Sequence, residues 1–352
     1  MNPQRSEPGL KGWLPPLLAL AAALAAYAGS FSGVFQFDDY ARIVQDPAIR
    51  HPWRAVQGSS RPLTALSLWL NYRLGGLQPA DFHLFNLAAH LAAGLALYAA
   101  TRRTLRRLRP EAEQGAVPWV AAAAAALWMT HPVQTESVTY IIQRAEALMG
   151  LFYLLTIGCL LRAADAPGGG RRWQAAAVAA CALGMTAKPV MATAPLMAWL
   201  FDRTFVAGSF REAWRRRRGL YLGLAATWAI PAALLLAPHE SAATAGFAPG
   251  VLAPTVYWRT QAGVLLRYLR LTVWPAPSSL VLDYAWPAAG RAAEWLPAAA
   301  AVAALLGAAI WGTARKRALE FAGLWWFAIL APTSLVPLAD CAAEHRLYLA
   351  LA

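Results

Sequence analysis

Two adjacent carboxylates, Asp38 and Asp39 in Phe35-Gln-Phe-Asp-Asp-Tyr40, follow a long apolar run. Neighbouring carboxylates repel each other and are costly to desolvate, so the pair is either a solvated loop start or a placed functional pair. Other charged groups recur at similar boundaries. Arg61 precedes Pro62, and Ser60 and Pro62 suit the start of a helix. After His131-Pro132, a helix would place Glu136, Tyr140 and Arg144 on one face at four-residue spacing, with Glu146 just beyond. Read structurally, Glu136 and Arg144 would then form an ion pair within a helix hairpin. Lys188 sits between two apolar runs, where an ammonium either snorkels to the interface or marks a functional site. Glu344, His345 and Arg346 close the set.

Cations at bilayer depth suit an anionic lipid head group, and arginine offers paired contacts to phosphate oxygens. A facing carboxylate can take the proton of an attacking hydroxyl, while the cations stabilise charge growing on a leaving group. The chemistry implied is displacement at a sugar carbon with a lipid phosphate departing.

The elements that must position these groups are apolar helices. Of 352 residues, 59% are hydrophobic and only 14% charged, well below the roughly 25% charge of soluble domains. The reading is an all-α polytopic membrane protein with about nine spans, near 12–29, 82–100, 117–130, 145–161, 173–187, 190–205, 220–237, 296–313 and 319–338. Two further segments, 62–74 and 257–274, read as interfacial or re-entrant helices on the outer face, the second because it carries Arg259, Arg267 and Arg270. The net charge of +13 is gathered in arginine clusters between apolar runs, which marks cytoplasmic loops and anionic lipid rather than nucleic acid. Arg5 and Lys11, Arg102 to Arg109, Arg162 to Arg172 and Arg211 to Arg218 then fall inside. The outer loops lie at about 31–81, 131–144 and 238–294, holding the candidate residues. Cys159, Cys181 and Cys341 show no metal-ligand spacing. The chain reads as one membrane domain over 1–352, whose abrupt end suggests truncation before further spans and a possible repeat domain.

The ordered motifs are more specific than any one of them. Phe37-Asp-Asp-Tyr40 with Asp46-Pro47, Arg61-Pro62-Leu63-Thr64, Phe82-His-Leu-Phe-Asn-Leu87, His131-Pro-Val-Gln-Thr-Glu136, Gln143-Arg-Ala-Glu146, Lys188 and His345-Arg-Leu-Tyr-Leu349 together resemble the C-type integral-membrane glycosyltransferases. The resemblance is closest to the branch often fused to tetratricopeptide repeats, which includes the transmembrane O-mannosyltransferases. It implies transfer of a sugar from a polyprenyl-phosphate carrier to an acceptor hydroxyl of a protein or glycan on the non-cytoplasmic face, usually with inversion. It also implies that Asp38 or Asp39 is the catalytic base, with Asp38 slightly favoured. Arg61, His131, Arg144, Lys188, His345 and Arg346 would contact the donor or its phosphate, oriented by Glu136, Glu146 and Glu344. No resident cofactor is implied; a divalent metal, needed by some C-type relatives, is left open. Pro189 after Lys188 departs from the acidic residue that many relatives carry there. A bacterial inner membrane, with the site facing the periplasm, is the expected location. Two other readings stand beside this one, a transporter or flippase of a lipid-linked anion and a non-catalytic membrane scaffold. A transporter would favour inverted repeats and charges near the midplane, and no repeat is visible.

Overall fold

The computed structural model describes residues 12–108, 115–236, 252–281 and 286–352. Arg5, Lys11, Arg109 and, of the 238–294 loop, residues 238–251 and 282–285 lie outside them. The described chain is built from helices. Six of these are long and apolar enough to cross a membrane: Leu14–Ser32, Pro79–Leu108, Ile141–Asp165, Phe210–Leu236, Ala292–Ala314 and Ala318–Leu335. The all-α membrane architecture is as expected, but the count of nine is too high. The third expected span is a helix of 14 residues, Ala116–Met129, and the fifth one of 15, Arg171–Met185. At 1.5 Å per residue these reach roughly 21–23 Å, short of the roughly 30 Å hydrocarbon core. The sixth is broken by Pro189 and Pro195 into a 3₁₀ turn and a nine-residue helix, Ala194–Asp202.

In chain order, α1 is Leu14–Tyr27, α2 Pro62–Gly75, α3 Pro79–Leu108, α4 Ala116–Met129, α5 Gln134–Thr139 and α6 Arg144–Asp165. They are followed by α7 Arg171–Met185, α8 Ala194–Asp202, α9 Phe210–Ala226, α10 Pro254–Val273, α11 Ala292–Ala314 and α12 Ala318–Leu335. Proline lies in the first turn of α1, α2 and α10, where its missing N–H costs no hydrogen bond.

The centre of the bundle is α3 and α6, flanked by α4 and α7. Small residues permit the closest approaches. A side chain at Gly94 of α3 would collide with Met129 of α4, and one at Gly150 of α6 would meet the Tyr348 ring at 2.5 Å. His90 of α3 ties these pieces together: Nδ1 pairs with the Tyr348 hydroxyl at 2.9 Å and Nε2 with the Met129 carbonyl at 3.0 Å. Its ring stacks on Trp128 at 5.0 Å. Residues 344–349 are therefore packed into the core, and Trp128 and Gln134 both donate to the Tyr348 carbonyl. By contrast, only 17% of the α11 span is buried, so that helix presents most of its apolar surface outward.

Candidate functional site

The aspartate loop is held in an unusual backbone state. Phe37 has φ of +43°, a region a bulky residue adopts only under constraint. Three contacts impose it. The Asp38 N–H donates to the Tyr140 hydroxyl at 3.0 Å, the Phe37 and Tyr140 rings meet edge to face, and Asp39 binds backbone on both sides. Asp39 is 1% exposed. Its Oδ2 accepts the Gln36 N–H at 3.0 Å and its Oδ1 accepts the Ile142 N–H at 2.9 Å. Burial pushes its carboxyl up to about 6, opposed by these two donors and the Arg144 charge and reinforced by Asp38. Asp38 is exposed. The two carboxylates are thus in opposite environments.

Arg61 and Lys188 come together because the start of α2 is stitched to the turn after α7. The Leu63 N–H donates to the Thr186 carbonyl at 3.1 Å, and the Thr64 hydroxyl to the Ala187 carbonyl at 3.2 Å. Arg61 itself is the residue before the helix, and its N–H donates to Ser59 Oγ at 3.1 Å. Its guanidinium lies in the field of Glu146, Arg42 and Asp38. Lys188 is 5% exposed and forms a buried ion pair with Glu146. Burial pulls its ammonium down to about 8, with Glu146 resisting and the Arg61 and Arg346 charges adding to the fall.

The third part is a carboxylate–imidazole pair. Glu136 Oε1 meets His345 Nδ1 at 2.6 Å, and Oε2 accepts the His345 N–H at 2.7 Å. Such a double clasp fixes ring orientation and tautomer. Arg346, buried beside it, donates to the carbonyls of Cys341 and Asp340 at 3.1 and 2.7 Å. Glu344 accepts the Val281 N–H at 3.0 Å and faces Arg267 at 3.6 Å; burial raises its carboxyl above the ordinary range. The field of Lys188 reaches Glu136. Asp38, Arg61, Glu146, Lys188, Glu136, His345, Glu344 and Arg346 therefore form one linked charged cluster.

Two candidates stand apart. Arg144 is fully buried, its guanidinium against Phe82 and Phe85 and donating to the Asn71 side chain at 2.6 Å and to the carbonyls of Ser67 and Phe82. Its charge reaches Asp39. The expected Glu136–Arg144 pair is not formed, because Tyr140 is extended (ψ 109°) and ends α5 before α6 begins. His131 Nε2 pairs with the Thr272 carbonyl at 3.3 Å, and its Nδ1 accepts the Val133 N–H, which fastens the α4 end to α10. Sequence reasoning gave no role to Tyr140, to Tyr268, whose hydroxyl bridges the N–H and carbonyl of Ala343, or to Arg267. Tyr140 was visible only as a member of the expected Glu136–Arg144 face and Arg267 only as one of three arginines on its segment, while Tyr268 carried no signal. Among the described residues no group of three or more His, Cys, Asp or Glu side chains is placed to hold a metal ion.

Sequence comparison bears on this arrangement. The chain aligns over 328 residues at 27% identity with protein O-mannosyl-transferase Tmtc2 of Drosophila melanogaster, covering 85% of this chain and 34% of that one. The chain is similar to the protein O-mannosyl-transferases. Shorter alignments give 31% identity over 163 residues with tmtc2 of Xenopus laevis, 42% of this chain and 18% of the relative. TMTC4 of Homo sapiens gives 30% over 172 residues, 41% and 23%. The resemblance read from the motifs is borne out. This chain spans about a third of the fruit-fly O-mannosyl-transferase and about a fifth of the frog one. These O-mannosyl-transferase relatives are animal proteins, and nothing in them supports a bacterial inner membrane. No family model and no solved structure matches the chain.

Proposed function

We propose that this chain is a membrane glycosyltransferase that moves a sugar from a polyprenyl-phosphate carrier to an acceptor hydroxyl on the non-cytoplasmic face. A mannosyl donor and a protein acceptor are the choices that the relatives' names favour. The observation that carries the reading is the division of labour between the two aspartates. Both oxygens of Asp39 are committed to backbone N–H groups, whereas Asp38 is exposed on a strained loop within the field of Arg61.

In this mechanism Asp38 accepts the proton of the acceptor hydroxyl as its oxygen attacks the anomeric carbon. The new C–O bond forms as the bond to the phosphate oxygen breaks on the opposite side, which inverts the centre. The bonding pair leaves on the phosphate oxygen. Arg61, Lys188 and Arg346 face that growing charge, a use of fixed cations that gains strength where water is excluded. Glu146 keeps Lys188 charged and in place, and Glu136 aims His345. Asp39 and Arg144 hold the loop.

The test is release of polyprenyl phosphate from polyprenyl-phosphate sugars by purified protein supplied with serine- and threonine-containing peptides. Turnover with at least one donor, reduced by 10-fold or more in Arg61→Ala, is expected. Tight donor binding with no turnover on any acceptor would defeat the catalytic reading for this chain.

A further inference from the structure

The aspartate segment sends its apolar side chains in two directions. Phe35 and Ile43 are buried in a small cluster with Leu68, Phe82 and Ile141, and the Phe35 ring meets that of Phe82 edge to face at 5.6 Å. Phe37 stays outside this cluster and is 59% exposed. It therefore bears two penalties at once. Its backbone is left-handed, which asparagine or glycine would adopt with less strain, and its large apolar ring covers none of the core. Strain kept on such a residue, next to the exposed Asp38, points to function.

Tyr140 has a donor to spare. Its ring meets that of Phe37 with centroids 6.2 Å apart, and its oxygen accepts the Asp38 N–H at 3.0 Å. A phenol that accepts one hydrogen bond still has its own O–H to give, and among the described residues no group takes it. Burial, with the fields of Asp38, Asp39 and Glu136, raises the phenol above its ordinary range and keeps that proton on. An O–H donor and an exposed aromatic ring thus flank the proposed base, one of them bonded to the base's own backbone.

We infer that Phe37 and Tyr140 form the acceptor-binding corner of the site and set its specificity. A polypeptide whose hydroxyl side chain reaches Asp38 gives a main-chain carbonyl to the Tyr140 O–H and lays a neighbouring apolar side chain against the Phe37 ring. The inference rests on the transferase reading and the protein acceptor proposed above. Serine and threonine hydroxyls lie within one residue of a main-chain carbonyl, which suits a donor held at the Asp38 backbone.

The test is steady-state transfer by the purified chain in nanodiscs, with saturating polyprenyl-phosphate sugar and threonine peptides flanked by leucine or by glycine. The wild type should favour the leucine peptide about tenfold, through a lower acceptor KM. Phe37→Asn should abolish that preference, with donor KM unchanged and melting temperature unchanged or raised, because asparagine relieves the strain. Tyr140→Phe should raise the acceptor KM for both peptides by about three- to tenfold, while water replaces the phenol at the exposed Asp38 N–H. In Phe37→Asn, a lower melting temperature with equal loss on both peptides would mark the ring as loop packing. A raised donor KM would mark it as lying against lipid. Either result would overturn the assignment, as would a surviving leucine preference or an unchanged acceptor KM in Tyr140→Phe. Turnover with no peptide preference in the wild type would remove this corner and leave the transferase reading standing. If no donor turns over, peptide binding read by fluorescence anisotropy decides. Leucine-dependent binding that Phe37→Asn loses would keep the corner while the catalytic reading falls; no binding of either peptide would remove both.

Discussion

At the residue scale, Asp38 and Asp39 share one chemistry and differ in what surrounds them. Sequence placed the pair and its cations but could not separate the two aspartates, because the donors that bind Asp39 are backbone groups, one of them 103 positions away at Ile142. The separation has a pH signature. The Asp39 carboxyl, raised to about 6 by burial, is protonated in the folded protein over a range where the unfolded chain has already lost the proton. The stability it contributes is therefore full below about pH 4 and is lost as pH rises through about 6. Protonation also removes an acceptor from the loop, so transfer should fall on acidification through pH 6 while this part of thermal stability rises. Asp39→Asn should erase the stability component, as read from melting temperatures between pH 4 and 7. Lys188 and Glu146 make a second case. Lys188→Met leaves a buried carboxylate without its partner, with an expected loss of about 3–5 kcal/mol; adding Glu146→Gln should restore most of it in thermal unfolding.

At the element scale, apolar periodicity and proline placement located almost every helix, including α2 and the arginine-bearing α10. Length was harder to read. Helices α4 and α7 are apolar enough to be taken as spans but end early, and the break at Tyr140 is invisible to a four-residue spacing rule. That break decides the site, since it gives Glu136 to His345 and Arg144 to Asn71. The packing of residues 344–349 against α6 was also hidden, because it depends on Gly150 having no side chain beneath Tyr348. Gly150→Val should force Tyr348 outward and cost about 1–3 kcal/mol. It should also weaken the Glu136–His345 clasp, so donor turnover should fall further than the loss of stability explains; activity measured well below the melting temperature checks this.

At the scale of the whole molecule, the candidate residues should share one side of the membrane and the arginine clusters the other. Single cysteines placed at Ser32 and Gln57 in a background lacking Cys159, Cys181 and Cys341 should react with an impermeant maleimide from the non-cytoplasmic side. Cysteines at Arg106 and Arg216 should react only after the membrane is opened. Both pairs reacting from one side would break the topology. The most direct measurement of the central claim compares Asp38→Asn with Asp39→Asn for polyprenyl phosphate release, with donor binding measured in parallel. If Asp38 is the base, its variant binds donor as the wild type does but turns over 10²–10⁴-fold more slowly, and Asp39→Asn loses less. Full turnover in Asp38→Asn beside an inactive, folded Asp39→Asn would contradict the account.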